Sequence, residues 1–202
     1  MDVLMDAAFR CVRELSVRYN IDESHSMKHS MDVLNYTIES YHFHIARNPQ
    51  LLTQQRILYV AAVVHDMCDK KYVTEQLGLR AIHDYLYLYF TPEEFNMLSR
   101  IITTMSYSIV RTHGYPELYE WQLGYHIVRE ADLLASYDID RCVLYGIYCE
   151  QLPYTEALIR ARTLYHNRVM RYIPDGVFVT MYGGAKAHEL HAKSMLKQHI
   201  EF

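Results

Sequence analysis

The chain has 202 residues, half of them hydrophobic, which suits a single domain whose core needs no disulfide or structural metal to hold it. The formal net charge is -4, from 20 Lys and Arg against 24 Asp and Glu, and the scattered basic residues give no strong nucleic-acid signal. The acidic start Met1-Asp-Val-Leu-Met-Asp6 and the lack of any apolar run near ~18 residues speak against a signal peptide and a membrane span, so a soluble, cytoplasmic protein is expected.

Glycine and proline are scarce and fall between segments of helical period. A first helix is expected over about residues 2–19. A second runs from about Met27 to Arg47, with Leu34, Ile38, Tyr41 and Ile45 on one stripe and Asp22 or Ser24 as its cap. The third spans about Leu51 to Met67 and is apolar on every side, the mark of a central, buried helix. Further helices are expected over Thr74 to Phe90, from the start signal Thr91-Pro92-Glu93-Glu94 to about Ser106, and over Glu117 to Tyr137. Arg141 to Gln151, Thr155 to Arg171 and Ala185 to about His199 complete the set. Only Gly176-Val-Phe-Val-Thr180 reads as a strand, and a short one. With no repeat and no Pro/Ser-rich linker, the pattern is that of one all-α domain.

Cys11, Cys68, Cys142 and Cys149 form no C-x-x-C pair and are expected to stay reduced. The 19 tyrosines fall largely in helical patterns and read as helix packing, rings inward and hydroxyls at the rim. His188, His191 and His199 lie on one late helix without a third ligand of matching phase and read as a polar face.

The chemistry concentrates elsewhere. His65-Asp66 ends the apolar helix, and a buried imidazole and carboxylate must be hydrogen-bonded or ligated. His25-Ser-Met-Lys-His29 precedes it, and Arg129-Glu130-Ala131-Asp132 follows in a helix whose Leu123, Ile127, Ala131 and Leu134 face inward. Two imidazoles and two carboxylates offer an open nitrogen and oxygen site. Such a site suits one divalent ion, Mn, Fe, Co, Ni or Mg, better than a closed cysteine zinc site.

In this order the pieces resemble the HD-domain phosphohydrolase superfamily, helical metal-dependent enzymes named for the adjacent His and Asp. The likeness is carried by His29-Ser-Met-Asp-Val33, Ala61-Ala-Val-Val-His65-Asp66 and Glu130-Ala-Asp132-Leu-Leu, and covers about residues 22–140. It implies a single-domain HD-type helical bundle over residues 1–202, with residues 141–202 as a C-terminal helical extension. It also implies His29, His65, Asp66 and Asp132 as the metal ligands. The doublet continues Met67-Cys68-Asp69-Lys70-Lys71, without the Ile-Gly often found there in the family.

The expected activity is therefore hydrolysis of a small phosphate ester, a nucleotide among the candidates, at a mononuclear site. Asp66, Glu130 and Asp69 are the catalytic candidates. Lys70, Lys71 and Arg111, with His113 behind them, are candidates for holding phosphate oxygens. His25 is read either as a partner to a ligand or as a loop residue, Glu130 either as a base or ligand-orienting group or as a solvated helix residue, and Ser106-Tyr-Ser108 either as pocket lining or as caps. Two alternatives remain: a binding or regulatory module without turnover, and a di-iron oxygenase drawing on His83 and His113.

Overall fold

The fold is described here from a computed structural model, for residues 1–200, with side chains as far as residue 195. Its elements in chain order are α1 (Asp2–Tyr19), α2 (Met27–Ile45), α3 (Leu51–Val64), α4 (Glu75–Leu86) and α5 (Pro92–Thr104). These are followed by α6 (Tyr107–His113), α7 (Gln122–Ala135), α8 (Ile139–Tyr148), α9 (Tyr154–Asn167) and α10 (Met181–Ile200). Short 3₁₀ turns lie at Glu23–His25, His65–Cys68, Tyr119–Trp121 and Val169–Arg171. The described residues are all-helical, and none of their helices is long and apolar enough to cross a membrane.

Helix α3 is the axle of the bundle. From Ile57 to Val64 every residue is buried, and α1, α2, α5 and α7 pack around it. Each fully buried Val, Leu or Ile contributes roughly 1.5–3 kcal/mol of transfer free energy, so a helix apolar all round is stable only where neighbours cover it on every side. Helices α2 and α7 lie against each other and against α3, α10 covers both, and α8 pairs with α9. Helix α8 also meets the turn Glu23–His25, and α4 packs on the turn His65–Cys68.

The local signals act as the residues suggest in most places. Asn20, in left-handed conformation at φ 52°, stops α1, and its N–H returns to the Ser16 carbonyl. Thr91 and Glu94 form a reciprocal capping box before Pro92. Asp22 accepts the Ser24 N–H and caps the turn Glu23–His25, so neither candidate caps α2 itself.

Three expectations are corrected. The residues after Val64 tighten into a 3₁₀ turn, so the doublet sits at a change of helical pitch. Ser106 caps a helix, α6, that the sequence reading left out. Gly176–Thr180 is not a strand: Val177 O accepts from Arg129 Nη2, and the Val179 and Thr180 N–H groups donate to Glu130. Side chains of α7 thus take the backbone partners that a second strand would supply. The four cysteines are free. Of the late histidines, His188 is exposed and the His199 side chain lies outside the described residues.

Candidate metal centre

Helix α2 buries one face, on which His29, Val33, Thr37 and Tyr41 follow at helical spacing, and His29 in its first turn is only 3% exposed. His65 follows the last turn of α3, 7% exposed. Its Nδ1 donates to the Ala62 carbonyl at 2.9 Å, which turns Nε2 towards α2. The neighbouring Val63 carbonyl accepts Ser30 Oγ at 2.8 Å, tying α2 to the carbonyl end of α3. Asp66 enters from the 3₁₀ turn and Asp132 from the last turn of α7.

These four side chains meet. His29 Nε2 lies 3.1 Å from His65 Nε2, 3.3 Å from Asp66 Oδ2 and 3.3 Å from Asp132 Oδ1. His65 Nε2 lies 3.3 Å from Asp66 Oδ2 and 3.7 Å from Asp132 Oδ1. Ligand bonds of about 2.0–2.2 Å in octahedral or tetrahedral arrangement hold neighbouring donor atoms about 2.8–3.6 Å apart, so His29, His65 and Asp66 fit one shared cation, with Asp132 close beside them. His29, His65 and Asp66 form a group able to hold a metal ion on their own distances, and Asp132 adds a fourth donor.

The electrostatics agree with the geometry. Burial pushes the His29 imidazole below its ordinary value. Burial opposes charge on His65 too, but Asp66, Asp132 and the Ala62 carbonyl outweigh it and raise the ring to about 9. Burial likewise opposes ionisation of both carboxylates, yet the facing histidines hold Asp66 and Asp132 well below the usual range. Two buried carboxylates thus recruit positive charge from whatever is near.

Part of that charge comes from Arg141, a residue the sequence reading missed. Its Nη2 lies 3.4 Å from Asp66 Oδ2 and its Nη1 3.6 Å from Asp132 Oδ1, while its Nε donates to the Ser24 carbonyl. Asp138 caps α8 and aims Arg141 inward from the first turn. In the sequence, Asp138-Ile-Asp-Arg141 looks like any charged helix start.

Over His65, Asp66 and Asp132 opens a cavity of about 600 Å³, with His29 buried behind them. Asp69, Lys70 and Lys71 line it, as expected, and so do Ser106, Tyr107 and Ser108, which makes Ser106 both a cap and a wall residue. Lys70 pairs with Glu75 at 3.3 Å; Lys71 reaches His25 Nε2 at 3.3 Å and Asp69 Oδ2 at 3.5 Å. Its far wall belongs to the C-terminal residues, where Tyr145, Arg160, Arg168 and Tyr172 join Arg141. His25 is buried and belongs to the site.

Two candidates fall elsewhere. Arg111 is exposed on α6 and is not among the lining residues. Glu130 is 2% exposed, and its carboxylate is taken by Val179 N at 2.7 Å, Thr180 N at 3.1 Å, Thr180 Oγ1 at 2.5 Å and Arg129 Nη2 at 3.2 Å. It is neither a base at the cluster nor a solvated residue, but the clasp that fastens the lead-in to α10 onto α7. Its phase could have shown this, since Glu130 stands three residues after Ile127 and four before Leu134, on the buried face.

No family model, no curated protein and no solved structure matches this chain.

Proposed function

We propose that the chain is a metal-dependent phosphohydrolase of the HD type, cleaving a phosphate ester in a small molecule such as a nucleotide. The observation that carries this reading is the convergence of His29, His65, Asp66 and Asp132, from three distant stretches, with the two imidazoles 3.1 Å apart and each 3.3–3.7 Å from both carboxylates, beside a cavity lined by Lys and Arg. A divalent cation held there would acidify water and polarise a phosphoryl oxygen.

The chain's own groups do the rest. Arg141, anchored on the Ser24 carbonyl, offers its guanidinium beside both carboxylates and is placed to hold non-bridging phosphate oxygens. Lys70 and Lys71 extend that positive wall towards solvent, and Arg160 and Arg168 continue it on α9 and just beyond it. Asp69, whose carboxylate lies within 4.8 Å of donor atoms on Asp66 and His25, is the carboxylate placed to take a proton from attacking water. The di-iron alternative is disfavoured, because His83 and His113 are exposed and do not line this cavity.

The test is hydrolysis, by protein loaded with Mn²⁺ or Ni²⁺, of a chromogenic phosphate ester and of a panel of nucleoside mono-, di- and triphosphates and sugar phosphates. Turnover should appear, and Asp66→Ala should lower kcat/KM by about 10³-fold or more, roughly 4 kcal/mol of transition-state stabilisation. Silence across the panel with metal bound would select the binding module instead, and two irons per chain would select the oxygenase.

A further inference from the structure

A second group of possible ligands adjoins the first. His25, Asp66 and Asp69 bring donor atoms within 4.8 Å of one another, and Asp66 belongs to both groups. Two cation sites joined by one carboxylate are the layout of a binuclear centre. One of the second group's neighbours, however, is already a cation.

Lys71 Nζ lies 3.3 Å from His25 Nε2 and 3.5 Å from Asp69 Oδ2. An ammonium group only donates, so His25 Nε2 must turn its lone pair towards Lys71. The other side of the ring gives the same answer. Tyr72 OH donates to Asp22 Oδ2 and therefore accepts from His25 Nδ1, 3.0 Å away, which places the ring hydrogen on Nδ1. The lone pair that Lys71 meets is the one a metal ion would use. Two more contacts hold the lysine in place: its backbone N–H donates to Asp69 Oδ1 at 2.9 Å, and Nζ lies 5.6 Å from the centre of the Tyr145 ring.

We propose that Lys71 fills a latent second cation site built from His25, Asp66 and Asp69, and thereby keeps the centre mononuclear. The inference rests on the metal centre proposed above. The substitution is chemically specific. An ammonium supplies one positive charge and three donors, enough to hold an anionic oxygen, but it is no Lewis acid and cannot acidify a water molecule. Activation of water would thus be confined to an ion held by His29, His65, Asp66 and Asp132, while Lys71 at the second position would only bind.

The experiment is metal stoichiometry on the full chain, by elemental analysis after equilibration with excess Mn²⁺ and removal of free ion, with electron paramagnetic resonance on the same samples. The wild type should hold one Mn²⁺ per chain. Lys71→Ala should hold two and show the exchange-coupled signal of ions sharing a carboxylate. Lys71→Arg should keep one, and Lys71→Ala combined with Asp69→Asn should return to one. Circular dichroism confirms that each variant is folded, and Lys71→Gln stands in should Lys71→Ala fail to fold. Two ions in the wild type, one in folded Lys71→Ala and Lys71→Gln, or two in the double variant would each overturn the proposal. No ion in the wild type would instead remove the metal centre itself, and with it the proposal, so the two failures are told apart.

Discussion

Gln122 Oε1 accepts the Leu118 N–H at 3.0 Å, which turns the amide so that its Nε2 donates to His126 Nε2 at 3.1 Å. The ring hydrogen therefore sits on Nδ1, which is buried and has no partner. Burial, helped by Arg129, pushes His126 down from 6.5 to about 4. Between those two values the unfolded chain binds the proton that the folded chain refuses, so stability is fully present above pH 6.5 and declines as pH falls towards 4. With the ring half-buried, the loss should amount to about 1–2 kcal/mol. His126→Gln should flatten the fall of Tm between pH 7 and pH 4, read by thermal melts of both proteins across that range.

At the scale of elements, α4 and the doublet turn are in backbone contact. A Cβ built on Gly78 would stand 2.6 Å from Cys68 Cα and 2.8 Å from the Met67 carbonyl, and backbone cannot step aside as a flexible side chain can. Gly78→Ala should therefore cost about 1–3 kcal/mol in urea denaturation and also weaken Mn²⁺ binding in a titration, because the turn that moves carries His65 and Asp66. Gly184→Ala is the control: nothing lies within 4 Å of its Cβ, and replacing glycine inside α10 should stabilise by about 0.5–1 kcal/mol. The neighbouring Gly183 explains a boundary that the sequence misplaces. The sequence puts the helix after Gly183-Gly184, from Ala185, yet α10 starts at Met181, and a Cβ at 183 would come within 1.9 Å of Glu130 Oε2. Glycine is there for close approach to the clasp, and that is a tertiary fact.

The same division holds for the site. His65, Asp66 and Asp132 stood out in the sequence beside periodic apolar stripes, where a polar residue needs a reason, whereas His29 joined them through the order of motifs that resembles the HD-domain superfamily. Lys71 and Asp69 were legible by adjacency to the doublet. Arg141 was not, since its reach into the cluster depends on α8 meeting the turn Glu23–His25, which no spacing within α8 encodes. Arg111 misled for the converse reason: a basic residue late in a short helix carries no sign of which way the helix faces.

At the scale of the molecule, the donors come from α2, the turn after α3, and α7, while the facing wall comes from α8, α9 and the residues just after α9. The extension beyond residue 140 thus completes the cavity. An ion that bridges three elements of the folded chain binds the unfolded chain poorly, and so stabilises by mass action. At one hundred times its dissociation constant this is worth about 2.7 kcal/mol, or roughly 5–10 °C in Tm for a domain of this size. Scanning calorimetry with and without Mn²⁺ should show that rise, and His29→Ala should abolish most of it.

Helix α3 points its carbonyl end at the donor cluster, with Ala62 O and Val63 O held by His65 and Ser30. That end of a helix carries a partial negative charge, and two ionised carboxylates add to it. At the floor of the cavity this negative charge is met by the Arg141 guanidinium, whereas Lys70, Lys71, Arg160 and Arg168, the first three paired with Glu75, Asp69 and Glu150, line the walls above it. An anionic group entering the cavity would meet those lysine and arginine side chains first, and a divalent cation in the proposed centre would offset the carboxylates beneath them.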